Sequence, residues 1–132
     1  MNLIVDSNII FTFFWKSGLA RELFYKFNIF SPEFALIELK KYEKEIIEKS
    51  SISKEEFTYL KNELCNLITF VPLEEYSSFL QKAKDICSDF KDIDFFALAL
   101  KLNYPIWSNN IVFKKQNNIL IFNSKEIIEL LL

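Results

Sequence analysis

The 132-residue chain contains no histidine, a single glycine, three prolines and two cysteines. The missing imidazole excludes Ser-His-Asp and Cys-His relays, His-ligated zinc, copper or haem, and a histidine switch near neutral pH. With Gly18 as the only glycine, a glycine-rich phosphate cradle is excluded too. Cys65 and Cys87 form neither a CxxC site nor a disulfide framework, and Met1-Asn2-Leu3-Ile4-Val5-Asp6 does not resemble a signal peptide. An intracellular, cytoplasmic protein with reduced thiols is expected. The longest apolar run, Phe95–Leu100, falls far short of the ~20 residues of a membrane span, so no membrane partner is expected. A net charge of −2 excludes a histone-like coat for nucleic acid, which needs excess Lys and Arg. Acid–base or metal chemistry must therefore run on carboxylates, amides, hydroxyls, Lys and Arg.

What is present is enough for a core. The chain is 51% hydrophobic and 26% charged, with 15 phenylalanines. A domain of this size buries about two-thirds of its unfolded surface, and bulky aromatics fill such a core without disulfides. One domain over residues 1–132 is the expectation.

Short apolar, β-leaning pieces recur at Leu3–Val5, Ile29–Phe30, Ile68–Val71, Pro105–Trp107 and Ile119–Phe122, separated by longer stretches of helical spacing. Ser31-Pro32-Glu33 reads as a helix start, with Ser31 as N-cap and Pro32 at the first helical position. An amphipathic helix follows, its apolar stripe marked by Phe34, Ile37, Tyr42, Ile46 and Ile47. Ser53 and Glu56 form a capping box for a second helix. Pro72 opens a third, reaching about Cys87; Asp92–Leu102 is a fourth, and Ser124 caps a closing helix to Leu132. Strands separated by helices cannot pair as hairpins, so they lie parallel. The predicted fold is a three-layer α/β/α sandwich around a parallel sheet of four or five strands.

In such sheets ligands bind beyond the carboxyl ends of the strands, where strand order reverses. Asp6 follows the first strand directly. Glu38 lies six residues into the helix after the second strand, ~9 Å from the edge at ~1.5 Å per residue. The helix feeding the fourth strand must begin at that edge, which brings Asp92 and Asp94 there, and Ser108-Asn109-Asn110 follows the fourth strand on the same side. Asp92 and Asp94 point about 200° apart, so one faces the crevice, and Asp92 is favoured. Gathered carboxylates repel, so they raise one another's pKa or bind a cation. All-oxygen ligation suits Mg2+ or Mn2+. Each acid also has an ordinary explanation: Asp6 as a helix cap, Glu38 as a solvated helix acid, Asp92 and Asp94 as partners of the helix dipole.

The opening strand into Asp6-Ser7-Asn8, Ser31-Pro32-Glu33-Phe34 leading to Glu38, Asp92 five residues before Ala97-Leu98-Ala99, and Pro105-Ile106-Trp107-Ser108-Asn109 with Phe113 occur in a familiar order. Over nearly its whole length the chain resembles a PIN domain, the metal-dependent ribonuclease fold shared by VapC-type toxins of toxin–antitoxin pairs. The resemblance implies that Asp6, Glu38 and Asp92 hold Mg2+ or Mn2+. It also implies that single-stranded RNA is cut to 5′-phosphate and 3′-hydroxyl ends, by a homodimer restrained by an antitoxin protein. On that basis Asn8 and Ser108 orient water or phosphate, with Asp94 supporting. Where the family pattern usually places a fourth acid this chain has Asn110, and Val112 stands where a further acid sometimes occurs. Asn110 is therefore a weakened fourth ligand, and a catalytically degenerate domain acting as a binding module is the alternative.

Lys16, Arg21, Lys114 and Lys115 are candidate contacts to RNA phosphates, against the ordinary reading of solvated lysines. Trp15, at the end of Phe11-Thr12-Phe13-Phe14, is a candidate for extending beyond the core toward a partner. Two other acidic-pocket folds fit poorly. A phosphorelay receiver needs Asp where Phe70-Val71-Pro72 stands, and a haloacid-dehalogenase-type phosphatase needs Asp where Asn8 stands.

Overall fold

A computed structural model describes residues 1–132. Five strands, β1 (Asn2–Val5), β2 (Asn28–Pro32), β3 (Ile68–Val71), β4 (Ile106–Trp107) and β5 (Ile121–Phe122), form one sheet in the order β3-β2-β1-β4-β5. Every pairing is parallel. The chain leaves β1 toward β2 and β3 on one side and returns to the other side for β4 and β5, so strand order reverses between β1 and β4.

Alternation along the strands divides the core into two layers. Leu3, Val5 and Trp107 point into a cluster with Ile9, Phe13, Phe14, Phe24, Phe57 and Leu64. Those residues come from α1 (Ser7–Thr12), α2 (Leu19–Phe24) and α5 (Lys54–Leu67) or the turns beside them, and α3 (Phe34–Lys41) and α4 (Glu43–Ser50) complete the layer. Ile4 and Ile106 point to the opposite face, against Tyr76, Ala83, Phe96, Leu98 and Phe113. That layer is built from α6 (Leu73–Tyr76), α7 (Leu80–Ile86) and α8 (Ile93–Leu102); α9 (Ser124–Leu130) closes the chain and sends Ile127 into the first layer. No helix is long and apolar enough to cross a membrane.

The local differences from the sequence expectations have physical causes. Ser31 and Pro32 are the last residues of β2 rather than a helix cap. The Ser31 hydroxyl donates to the Val5 carbonyl across the sheet, and Glu33 begins α3 without a side-chain cap. The expected single helix after β2 breaks at Tyr42 (φ −102°, ψ 10°) into α3 and α4. In α3 the buried positions are Ala35 and Leu39, one turn apart, so Ile37 lies on the far side of the helix and is 66% exposed. The helix expected from Pro72 to Cys87 is divided into α6, a short 3-10 turn and α7. Asn123, not Ser124, caps α9 in a capping box with Glu126, because the Ser124 hydroxyl accepts from the Trp107 indole N–H instead. The Ser53–Glu56 box forms as expected.

Candidate active site

The register of β1 and β4 builds the centre of the site. Val5 pairs with Trp107, so the next residues, Asp6 and Ser108, leave the sheet side by side at the point of strand reversal. Ser108 donates its hydroxyl to Asp6 Oδ2, and the Ile9 N–H donates to Asp6 Oδ1 at 3.0 Å. Asp6 therefore does cap α1, and the same carboxylate stands in a cleft of about 790 Å³. Capping and facing the cleft are compatible because each carboxylate oxygen has more than one lone pair.

Glu38 and Asp92 line the same cleft. α3 runs away from the end of β2, and Glu38, beside fully buried Leu39, is half-buried with the Ser7 hydroxyl donating to its Oε1. Asp92 precedes α8 at the end of a 3-10 turn capped by Asp89. Burial pushes Asp6 up to about 6, against the lowering effect of Ser108 and Ile9 and with the added repulsion of Glu38. Burial also raises Asp92 to about 6, with repulsion from Asp89, Asp6 and Glu38. The acids from β1, α3 and α8 thus share one field, and neither of the chain's two salt bridges involves any of them.

The remaining candidates are distributed differently. Asn8 is exposed and lines the cleft, as do Asn109 and Asn110. Ser108 is fully occupied: it donates to Asp6 and accepts from the Asn110 N–H, so it positions Asp6 and has no proton left for a water or phosphate. Asn110 Oδ1 accepts from the Val112 N–H and caps a 3-10 turn. Asp94 lies outside the cleft and accepts from the Tyr76 hydroxyl, on the other side of α8; a two-residue separation on a helix sends the pair apart.

The expected basic contacts are not at the cleft. Lys16 and Arg21 line a second pocket with Ile52, Glu55, Glu56, Tyr59 and Leu60. Arg21 donates from Nε to the Phe13 carbonyl and from Nη2 to the Trp15 carbonyl. Lys114 pairs with Glu126, and Lys115 is exposed away from the cleft. The cations that do line it are Lys49, paired with Glu45, and Lys91. Sequence reasoning missed these two, together with Ser7 and Asp89. Asp89 carried a signal, a cap position three residues before Asp92, whereas Lys49 reaches the cleft only because the helix breaks at Tyr42.

The donor chemistry fits a hard divalent cation: oxygen ligands, like charges gathered without a bonded cation, and one of them only 5% exposed. No three acidic or thiol groups close into a ready-made cage. A hard ion that retains several waters and takes one or two carboxylates together with a substrate phosphate would need no such cage.

Comparison with known proteins follows the same line. A family model described as PIN domain matches residues 4–118. No curated protein matches the sequence. Among solved structures, the chain is similar to VapBC2 from Rickettsia felis, bound to a DNA fragment from its promoter. The TM-score is 0.64 at 18% identity, over 93% of this chain and 98% of that one. At that identity the likeness concerns the fold. The family match spans most of the sequence, and the chain belongs to the PIN domain family.

Proposed function

We propose that the protein is a Mg2+- or Mn2+-dependent endoribonuclease that cuts single-stranded RNA, acting as a homodimer and as the toxin of a toxin–antitoxin pair. PIN domains are generally nucleases, and the similarity to VapBC2 supplies the motive for an antitoxin partner. The observation that carries the catalytic reading is the convergence of Asp6, Glu38 and Asp92 on one cleft without a bonded protein cation.

Asp6, Glu38 and Asp92 would hold the ion. When bound, such an ion supplies an activated water and offsets the charge that grows on a phosphodiester in its transition state. The chain's own contribution is positioning. Ser108 and the Ile9 N–H hold both oxygens of Asp6, Ser7 holds Glu38, and the burial of Asp6 strengthens its charge interactions. Lys91 and Asn8 stand at the cleft with side chains able to donate to a phosphate.

The test is cleavage of single-stranded RNA by purified protein with Mg2+ or Mn2+, with products ending in 5′-phosphate and 3′-hydroxyl. Cleavage that persists in EDTA, or that survives Asp6→Asn, would sink the proposal. A second reading, a degenerate domain that binds RNA or protein without cutting, is favoured by one observation: Asn110 replaces a carboxylate and turns its oxygen to the Val112 N–H. Inactive wild type with activity restored by Asn110→Asp would establish that reading.

A further inference from the structure

The two tryptophans have opposite fates: Trp107 is completely buried, and Trp15 is 52% exposed although Phe13 and Phe14 immediately before it are fully buried. Trp15 stands on the wall of the carboxylate cleft with Phe11 and Tyr42, whose rings pack edge to face at 5.8 Å. Its backbone is held firmly. The Trp15 N–H donates to the Thr12 carbonyl, and the Trp15 carbonyl accepts from the Gly18 N–H and from Arg21 Nη2. Arg21 also grips the Phe13 carbonyl and lays its guanidinium over the Phe13 ring at 5.6 Å. Gly18 takes φ +66°, a left-handed conformation that suits glycine, to turn the chain back into α2. A large flat ring is thus fixed at the backbone and left open on the side of the cleft.

We infer that Trp15 is a stacking platform for an unpaired nucleobase of the RNA whose phosphate lies at the carboxylates. The inference rests on the ribonuclease reading and adds a subsite to it. A single strand alternates anionic phosphates with planar bases, and proteins that hold it pair polar or charged grooves with exposed aromatic rings. This cleft has both elements in one lining: the acids and Lys91, Trp15, and a second lysine, Lys49. A duplex hides its base faces, so a platform of this kind selects unpaired RNA. Because every base has a π-face, it tolerates sequence, and purines stack more extensively than pyrimidines. Arg21 is a positioning residue that acts through the Phe13 and Trp15 carbonyls.

The experiment is titration of the full-length protein, with Ca2+ present to offset the carboxylate charge, with fluorescein-labelled six-nucleotide oligoadenylate and oligouridylate; the anisotropy of the label measures binding for every variant, and tryptophan fluorescence with acrylamide quenching follows Trp15 in the wild type. Trp107 is shielded throughout, so the change reports Trp15. RNA is expected to shield Trp15, with oligoadenylate binding more tightly. Trp15→Ala is expected to weaken binding about ten-fold or more, with Trp15→Phe recovering most of the loss and Tyr59→Ala, exposed outside the cleft, without effect. With Mg2+ present, the Trp15→Ala defect falls on KM more than on kcat. Binding by Trp15→Ala as tight as wild type overturns the inference, as does shielding of Trp15 by raised protein concentration alone, which would make a second copy of the chain its occupant. Wild-type cleavage with an unaffected Trp15→Ala overturns the stacking role alone. RNA-dependent shielding without any cleavage overturns the nuclease reading and leaves the stacking role standing.

Discussion

The two sides of the cleft use their polar side chains in opposite ways. On the side of β1, α3 and the start of α8, burial raises Asp6 and Asp92, neighbouring acid charges raise them further, and none of the three acids is paired with a bonded cation. On the side of β4, side chains are consumed by local structure: Ser108 holds Asp6, Asn109 Oδ1 accepts from the Ser124 N–H, and Asn110 Oδ1 accepts from the Val112 N–H. One side stores unfavourable charge that a cation would relieve. The other already has its side-chain acceptor oxygens engaged, so it contributes rigidity and shape. On the proposed function, the contrast puts the chemistry on the acidic side, and Ser108, bonded to both Asp6 and the Asn110 N–H, links the two.

The largest expected effect comes from discharging the acidic side. Asp6→Asn keeps the cap to Ile9 but removes the charge, and RNA cleavage is expected to fall about a hundred-fold or more, ~2.7 kcal/mol in barrier; gel assays with Mn2+ measure it. Cutting the link is next. Ser108→Ala takes a donor from Asp6 and an acceptor from the Asn110 N–H, and a buried polar group left unpaired costs ~1–3 kcal/mol, so urea unfolding at pH 7 should show a loss of about 2 kcal/mol.

The acidic side also predicts a pH dependence. Asp6 and Asp92 both titrate near 6 in the metal-free fold, above the ordinary 3.8. The folded state therefore binds more protons than the unfolded state between those values, so stability falls as pH rises through that window. Asp6→Asn removes much of this penalty. Relative to wild type it is expected to be near neutral at about pH 4 and more stable by about 2 kcal/mol above pH 6, in the absence of metal. Thermal melts at a series of pH values in EDTA measure the difference, and a gap that shrinks as pH rises contradicts it.

Smaller effects sharpen the satisfied side. Asn110→Asp adds a carboxylate while keeping an oxygen for the Val112 N–H, and Mg2+ affinity by calorimetry is expected to tighten about ten-fold, ~1.4 kcal/mol. The smallest effect is expected for Lys114→Met. Lys114 is paired with half-exposed Glu126 and neither residue lines the cleft, so RNA affinity should stay within error.

Much of the architecture was legible because it follows from period and connection. Short apolar runs between helical stretches require parallel strands, and the three acids could be placed at one edge before any contact was known. What escaped lies in competition between local and tertiary demands. Ser31-Pro32 carries a helix-start signal, yet Ser31 pairs across to Val5 at the end of β2. Ile37 belongs to an apolar stripe only if the helix continues through Tyr42, and there it breaks. Lysine positions were the least legible, because a flexible charged side chain satisfies the sequence pattern equally well on any exposed face.

By itself the sequence determined the strand–helix alternation and which side chains were on hand for acid–base or metal chemistry, since both depend on residue type and spacing: without histidine, the acids at the sheet edge are the foremost candidates. Tertiary structure alone decided which side chains remain available there. Ser108 and Asn110 are drawn into bonds set by the β1–β4 register and by the turn after β4, and the Trp15 ring stays exposed while its carbonyl is bonded by Arg21, six residues along the chain. Such commitments depend on which groups meet across the fold, and one-dimensional spacing does not encode that.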